Sequence, residues 1–333
     1  MKPCIIGVSG PVLLPEEFAM LRAKTPAGII LFARNIENPT QLSTLVRDLR
    51  AALPDEAVFM VDQEGGRVAR LKPPHWRAHP PARAIGALHA RDAAAGLRAA
   101  WLTGALIGLQ CRAAGFSVVA APVLDVAAAD GHDVIGDRSF SADPASVAAL
   151  GGAMARGLLA AGVQPVSKHA PGHGRARADS HLEMPVLADL AEADLRPFRE
   201  NAWLPWMMTA HIRYTARDML NPATLSPAIV AGVIRASAGL GVGFEGVLTT
   251  DDLAMGALSG TPGERAARAV AAGCDIALHC SGVLAASADV LTALPEMSVA
   301  SAARLAAARK MAAGAAQLLD EASLAHERDA LLA

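Results

Sequence analysis

Aromatic residues make up only 4% of this 333-residue chain, although 53% of it is hydrophobic. The core must therefore be built mainly from Ala, Val, Leu and Ile, residues that suit helices and buried strands. Cysteine is sparse as well. Cys4, Cys111, Cys274 and Cys280 fall in apolar segments without a C-x-x-C pair. That excludes a disulfide framework and a cysteine-based metal knuckle and predicts reduced core thiols. No sign of charge dominates: 30 Lys and Arg against 32 Asp and Glu leave a formal charge of -2. No Lys/Arg cluster is dense enough to hold a phosphate backbone, so nucleic acid is not an expected partner. Long uncharged hydrophobic runs are missing too. The Ala-rich stretch 96–111 is too short for a bilayer, and 299–319 is cut by Arg304, Arg309 and Lys310, so no membrane partner is expected. The opening MKPCIIGVSGPVLLPEE reaches Pro and two Glu before a signal-peptide core develops, and with reduced thiols this predicts a cytoplasmic protein.

What the sequence does contain is repetition of two kinds of segment. Short apolar or β-branched runs at 4–8, 28–33, 57–62, 117–121, 164–169, 206–211, 246–251 and 275–279 predict eight strands. Between them, 39–53, 91–114, 144–162, 189–202, 226–237 and 263–273 place apolar residues at three- and four-residue spacing, which predicts helices. Alternating strands and helices imply a parallel sheet, and eight repeats imply closure into a single α/β domain, a (β/α)8 TIM-type barrel spanning 1–333. An open doubly wound sheet is the structural alternative, but no G-x-G-x-x-G follows the first strand. The Pro-rich segment 72–88 reads as a loop over the barrel mouth. The tail, from about 299, reads as one further helix packed on the outside.

In such a barrel, chemistry belongs at the carboxyl ends of the strands. The third predicted strand ends in Asp62, Gln63, Glu64, Gly65, Gly66, Arg67 and Val68, the fifth in Lys168 and His169, the sixth in His211, and the seventh in Asp251 and Asp252. One Asp after a strand is most often a helix cap. Four separate strands delivering charge to one rim point instead to a site. His169 and His173 have H-x-x-x-H spacing, but Pro171 and Gly172 break the helix that would make it a metal-ligand pair. His173 is expected to be a buried hydrogen-bonding residue that shapes its loop, with Asp125 doing similar work. Gly65 and Gly66 are expected to permit a tight rim turn. The four Trp residues read as packing groups, with Trp76, in a loop near the mouth, the one candidate exception.

The runs VDQEGGRVARL (61–71), SKHAPGHG (167–174), DSH (179–181), MMTAHI (207–212) and GVLTTDDLAM (246–255), with IILFARN, APVLDV and IGDRSF in correct order, resemble glycoside hydrolase family 3. The likeness is to its short NagZ-type β-N-acetylglucosaminidases of peptidoglycan recycling. It implies Asp251 as nucleophile, His181 as proton donor held by Asp179, and Asp62, Arg70, Arg138, Lys168 and His169 as the sugar-binding set. It further implies net retention through a glycosyl-enzyme intermediate, no metal or organic cofactor, a small carbohydrate or muropeptide as the only partner, and a monomer. Ala170, Thr249 and Asp137 depart from the family pattern, and the 236–245 connection is longer than usual. Three rival functions remain at this stage: a glycoside phosphorylase on the same scaffold, a non-catalytic sugar binder, and a metal-dependent barrel amidohydrolase. The last wants H-x-H after strand one, where this chain reads GVSGP.

Overall fold

A computed structural model describes residues 1–129 and 131–333. Eight parallel strands form the centre: β1 (Lys2–Gly7), β2 (Pro26–Leu31), β3 (Val58–Val61), β4 (Val118–Val119), β5 (Gln164–Ala170), β6 (Trp206–Thr209), β7 (Val247–Thr249) and β8 (Ala277–His279). They pair in sequence order, and β8 pairs with β1 through Cys4 opposite Ala277. A parallel bridge from Thr249 to Ile276, with Thr250 N donating to Ile276 O at 3.0 Å, joins β7 to β8 and closes the ring. The expected (β/α)8 barrel is thus the observed one, and every predicted strand overlaps a barrel strand.

Strand parity divides the core in two, because successive side chains point to opposite faces. Ile5, Ile30, Met60, Val118, Val166, Trp206, Met208, Val247 and Leu278 fill the barrel interior. Ile6, Ile29, Leu31, Phe59, Val61, Met207 and Leu248 point outward to the helices. Helix starts follow local chemistry: Asn38, Asp143, Ser226 and Thr261 each cap a backbone N–H and are each followed by Pro. Proline fits there because the first helical N–H has no intrahelical partner.

The structure corrects the sequence reading in several places. Helices Pro15–Lys24, Ala82–Arg91 and Leu284–Ala293 were not foreseen. The predicted 226–237 helix is a short α turn that widens into a π-helical stretch, Val230–Arg235. The tail holds two helices, not one. Val299–Ala315 does not lie on the outside: Leu305 and Ala308 plug the barrel interior, and Arg304 reaches Glu245 O and Asp275 Oδ1 at the amino ends of β7 and β8. Glu321–Leu332 then packs along Ala93–Ala113. Nor is 72–88 a lid over the mouth. Its His75, Trp76 and Arg77 line a groove with Leu42, Val46 and Gln110 on the flank, and its end is helical. Among the described residues no helix is long and apolar enough to cross a membrane. The four cysteines are buried and unbridged, as expected.

Candidate active site

The strand ends open into a cavity of about 570 Å³ whose lining includes Ile30, Met208 and Leu278, continuous with the barrel interior. Asp62, Arg70, Arg138, Lys168, His169, Asp179, His181 and Asp251, the residues expected from sequence, all line it. Lys168 and His169 reach it from the end of β5, and the others from the segments after β3, β4, β5 and β7.

The segment after β3 is a tight turn. Gln63, fully buried, accepts the amides of Arg70 and Leu71 at 2.7 and 3.0 Å and donates to Leu71 O at 2.9 Å. Gly65 and Gly66 have φ of 101° and 55°, and a Cβ at Gly65 would lie 2.4 Å from Pro80 O. Only glycine tolerates both conditions without strain. The turn delivers two carboxylates into a network of five charges. Asp62 accepts from Lys168 Nζ at 2.9 Å and Arg70 Nη2 at 3.1 Å, and Glu64 accepts from Lys168 Nζ at 2.6 Å and from both Nε and Nη2 of Arg138 at 2.8 Å. Burial alone would raise the pKa of Asp62 and Glu64. The surrounding Lys168, Arg70 and Arg138 charges outweigh it and hold both below their ordinary values.

Glu64 was visible in sequence only as one charge in a strand-end run. The structure makes it the centre of the cation cluster. Arg67 and the loop 132–135 were also missed as pocket residues. Arg67 fastens that loop by donating to the Asp133, Val134 and Ile135 carbonyls and pairing with Asp137 at 2.9 Å. The clue lay in Arg67 and Asp137 standing inside matched motifs, but a pairing across 70 positions has no local signature.

β4 and β5 meet again beyond their short ladder, where Leu124 N donates to Lys168 O at 2.7 Å. That contact sets Asp125 beside the KHAPGH segment. Asp125, fully buried, accepts from His169 Nδ1 at 2.6 Å and from the His173 amide at 2.6 Å. A carboxylate cannot donate here, so Nδ1 carries the His169 proton and Nε2 faces Arg138 Nη2 at 3.4 Å. His173 is buried and bonds Ser180 Oγ through Nε2 at 3.0 Å, so both it and Asp125 shape the loop as expected.

Asp251 follows β7. Its Oδ1 accepts the Asp252 amide at 2.8 Å, and among the described residues it makes no ion pair. Burial opposes its ionisation, but His169, His211, the Asp252 amide and Lys168 together keep its pKa below the ordinary value. Asp252 takes the capping role: its Oδ1 accepts the Ala254 and Cys280 amides at 2.9 Å each. His211, buried, bridges Thr224 Oγ1 at 2.8 Å and Asp252 O at 3.0 Å, so it braces the β7 end.

The DSH segment is a turn. Asp179 O accepts the Leu182 and Glu183 amides, and Asp179 Oδ1 accepts both the His181 amide at 2.9 Å and His181 Nδ1 at 2.7 Å. The pairing of Asp179 with His181 is as foreseen, but the turn, not strand alternation, produces it. The His181 side chain is 61% exposed, so its Nε2 is accessible from the cavity. Trp76 lies on the flank and takes no part, and Trp206 is an interior packing group whose Nε1 donates to Gln164 at 2.9 Å. Ala170 and Thr249 are buried outside the cavity lining, and the 236–245 connection sits at the amino end of β7, opposite the site.

A carboxylate kept ionised without an ion pair, a histidine–aspartate pair and a cluster of fixed charges make a site for acid- or nucleophile-assisted cleavage of a polyhydroxylated substrate. Comparisons with known proteins agree. A Beta-hexosaminidase of Bordetella avium is 38% identical over 290 residues, covering 84% of this chain and 80% of that one, and one of Tolumonas auensis is 40% identical over 291. The solved structure of NagZ from Neisseria gonorrhoeae in complex with N-trifluoroacetyl-D-glucosamine superposes with a TM-score of 0.78 at 31% identity, covering 95% of this chain and 98% of that one. A family 3 β-N-acetylglucosaminidase from Paenibacillus gives 0.84 at 31% identity, with this chain spanning 62% of that longer protein. Residues 14–313 match the glycosyl hydrolase family 3 N-terminal domain, and with that span and these relatives the chain belongs to glycosyl hydrolase family 3.

Proposed function

We propose that this family 3 β-hexosaminidase removes one terminal N-acetylglucosamine with retention of configuration, from N-acetylglucosaminyl-1,6-anhydro-N-acetylmuramic acid and its peptides. The observation that carries the reading is Asp251, which is held ionised while the neighbouring carboxylates Asp62, Glu64 and Asp125 are committed to cations or histidine. An oxocarbenium-like transition state needs an unengaged carboxylate at the anomeric carbon. Asp251 forms the bond to that carbon as the glycosidic C–O bond breaks. The departing oxygen takes its proton from His181, whose ring the Asp179 carboxylate holds through Nδ1 at 2.7 Å. Water then attacks the glycosyl ester, His181 takes the water proton, and the Asp251 carboxylate is regenerated.

The sugar is held by the charged set. Lys168 and Arg138 donate, Asp62 and Glu64 accept, and His169 offers Nε2, so each sugar hydroxyl can meet a charge-assisted partner. The proposal includes a small soluble carbohydrate as partner and a monomeric cytoplasmic enzyme. Incubation with the disaccharide tests the reading: the expected products are free N-acetylglucosamine, initially the β-anomer, and anhydromuramic acid, at a rate independent of phosphate. Sugar phosphate as the product would establish a phosphorylase instead.

A further inference from the structure

Asp179 and His181 belong to an exposed turn, but the residue between them does not face solvent. Ser180 is 2% exposed, and its Oγ lies 3.0 Å from His173 Nε2. His173 is 3% exposed and fixed in turn, since its amide donates to Asp125 Oδ1 at 2.6 Å. The same Asp125 carboxylate accepts from His169 Nδ1 through its other oxygen at 2.6 Å. His173 Nδ1 has no partner among the described residues, so the Ser180 hydroxyl is the hydrogen bond that this ring makes there. The backbone of the turn is also fastened at its far side, where Ser180 O and His181 O accept the Ala257 and Gly256 amides.

We infer that Ser180 and His173 form a latch that sets the position of the proton-donating turn against the sugar subsite. Ser180 is a positioning residue in it, acting through Asp179 and His181. The inference rests on the reading of His181 as proton donor. One connected path, Ser180 to His173 to Asp125 to His169, ties the turn to a residue of the sugar-holding cluster. Without it the turn keeps its backbone bonds to Gly256 and Ala257 but loses its anchor on β5. A displacement of about 1 Å in a reacting group costs roughly 100-fold in rate, and the cost falls only on a step that needs the displaced group.

The test is single-turnover glycosylation of two substrates: the anhydromuramic disaccharide, whose leaving group needs protonation, and a dinitrophenyl β-glycoside of N-acetylglucosamine, whose leaving group does not. Ser180→Ala is expected to slow the first by about ten- to 100-fold and the second by less than about threefold. Binding of N-acetylglucosamine should be retained, and Ser180→Thr, which keeps the hydroxyl, should recover most of the loss. His173→Phe keeps a ring of similar size without Nε2 and should reproduce the split, so the test survives if Ser180→Ala folds poorly. Added to His181→Ala, Ser180→Ala should cost nothing more. Equal slowing of both substrates by Ser180→Ala and His173→Phe, or no slowing of either, overturns the latch while a leaving-group-dependent His181→Ala leaves the proton-donor reading standing. A His181→Ala enzyme that slows both substrates alike overturns that reading and the latch with it.

Discussion

At the scale of single residues the cavity separates groups that are committed from one that is not. Asp251→Ala should leave the fold intact, because among the described residues its carboxylate bonds the amide of its neighbour and no other group, while turnover should fall by roughly 10⁴-fold. Trapping with a fluorinated slow substrate, followed by peptide mass analysis, should place the sugar on Asp251. Label on Asp62 or Glu64 would reassign the nucleophile. Glu64→Gln behaves differently. It weakens the pairing of two buried cations at once, Lys168 and Arg138, and breaking a buried ion pair costs about 3–5 kcal/mol. A lower melting temperature and a weakened affinity for N-acetylglucosamine are expected together, whereas a stable Glu64→Gln enzyme with unchanged affinity would show that Asp62 alone suffices to hold the cations. Most of this cast was legible in the sequence, since Asp62, Lys168, His169 and Asp251 each stand at the carboxyl end of a predicted strand. Glu64 was not singled out, because its importance comes from Arg138, 74 residues away, and no spacing rule reports that.

At the scale of elements the strands were readable and the connections were not. Strands buried on both faces read as apolar runs whatever their partners. Helices such as Pro15–Lys24 and Leu284–Ala293 carry a weak amphipathic pattern, and the flank position of 72–81 is decided by contacts with Val46 and Gln110 that have no local code. The segment after β5 shows how tightly one connection is specified by another. A Cβ on Gly174 would fall 1.7 Å from Val126 O, in the segment after β4. Gly174→Ala must therefore push apart the two stretches that carry Asp125 and His173. A destabilisation of about 1–3 kcal/mol by chemical denaturation is expected, with a turnover deficit resembling that of Asp125→Asn. A silent Gly174→Ala would mean that these stretches have more freedom than their packing indicates.

For the whole molecule, the C-terminal helix and the catalytic rim are joined by a buried histidine, and this makes global stability depend on pH. Arg328 Nη1 lies 3.0 Å from His79 Nδ1 and must donate, so His79 Nε2 carries the proton and donates to Gln110 Oε1 at 2.6 Å. His79 O meanwhile accepts the Gly66 amide at 2.9 Å. Burial, reinforced by the Arg328 charge, lowers the His79 pKa from 6.5 to about 4, and burial does the same to His173. With folded values depressed, the unfolded chain binds protons that the folded chain refuses. Their stabilisation is therefore complete above pH 6.5 and is lost as pH falls through about 4. At 1.36 kcal/mol per unit, each histidine removes up to about 3 kcal/mol across that window. The carboxylates Asp62 and Glu64, also depressed, add their loss only below the ordinary carboxylate range. Denaturant midpoints measured from pH 7.5 to 4 should fall steadily, beginning above the ordinary carboxylate range. His79→Gln, whatever it does to stability at pH 7.5, should make that slope shallower, leaving the share of His173 and of His211 and His279, whose pKa values burial also lowers. An unchanged slope in the variant would show that His79 is protonated in the folded protein, and that the Arg328 contact does not hold the ring neutral.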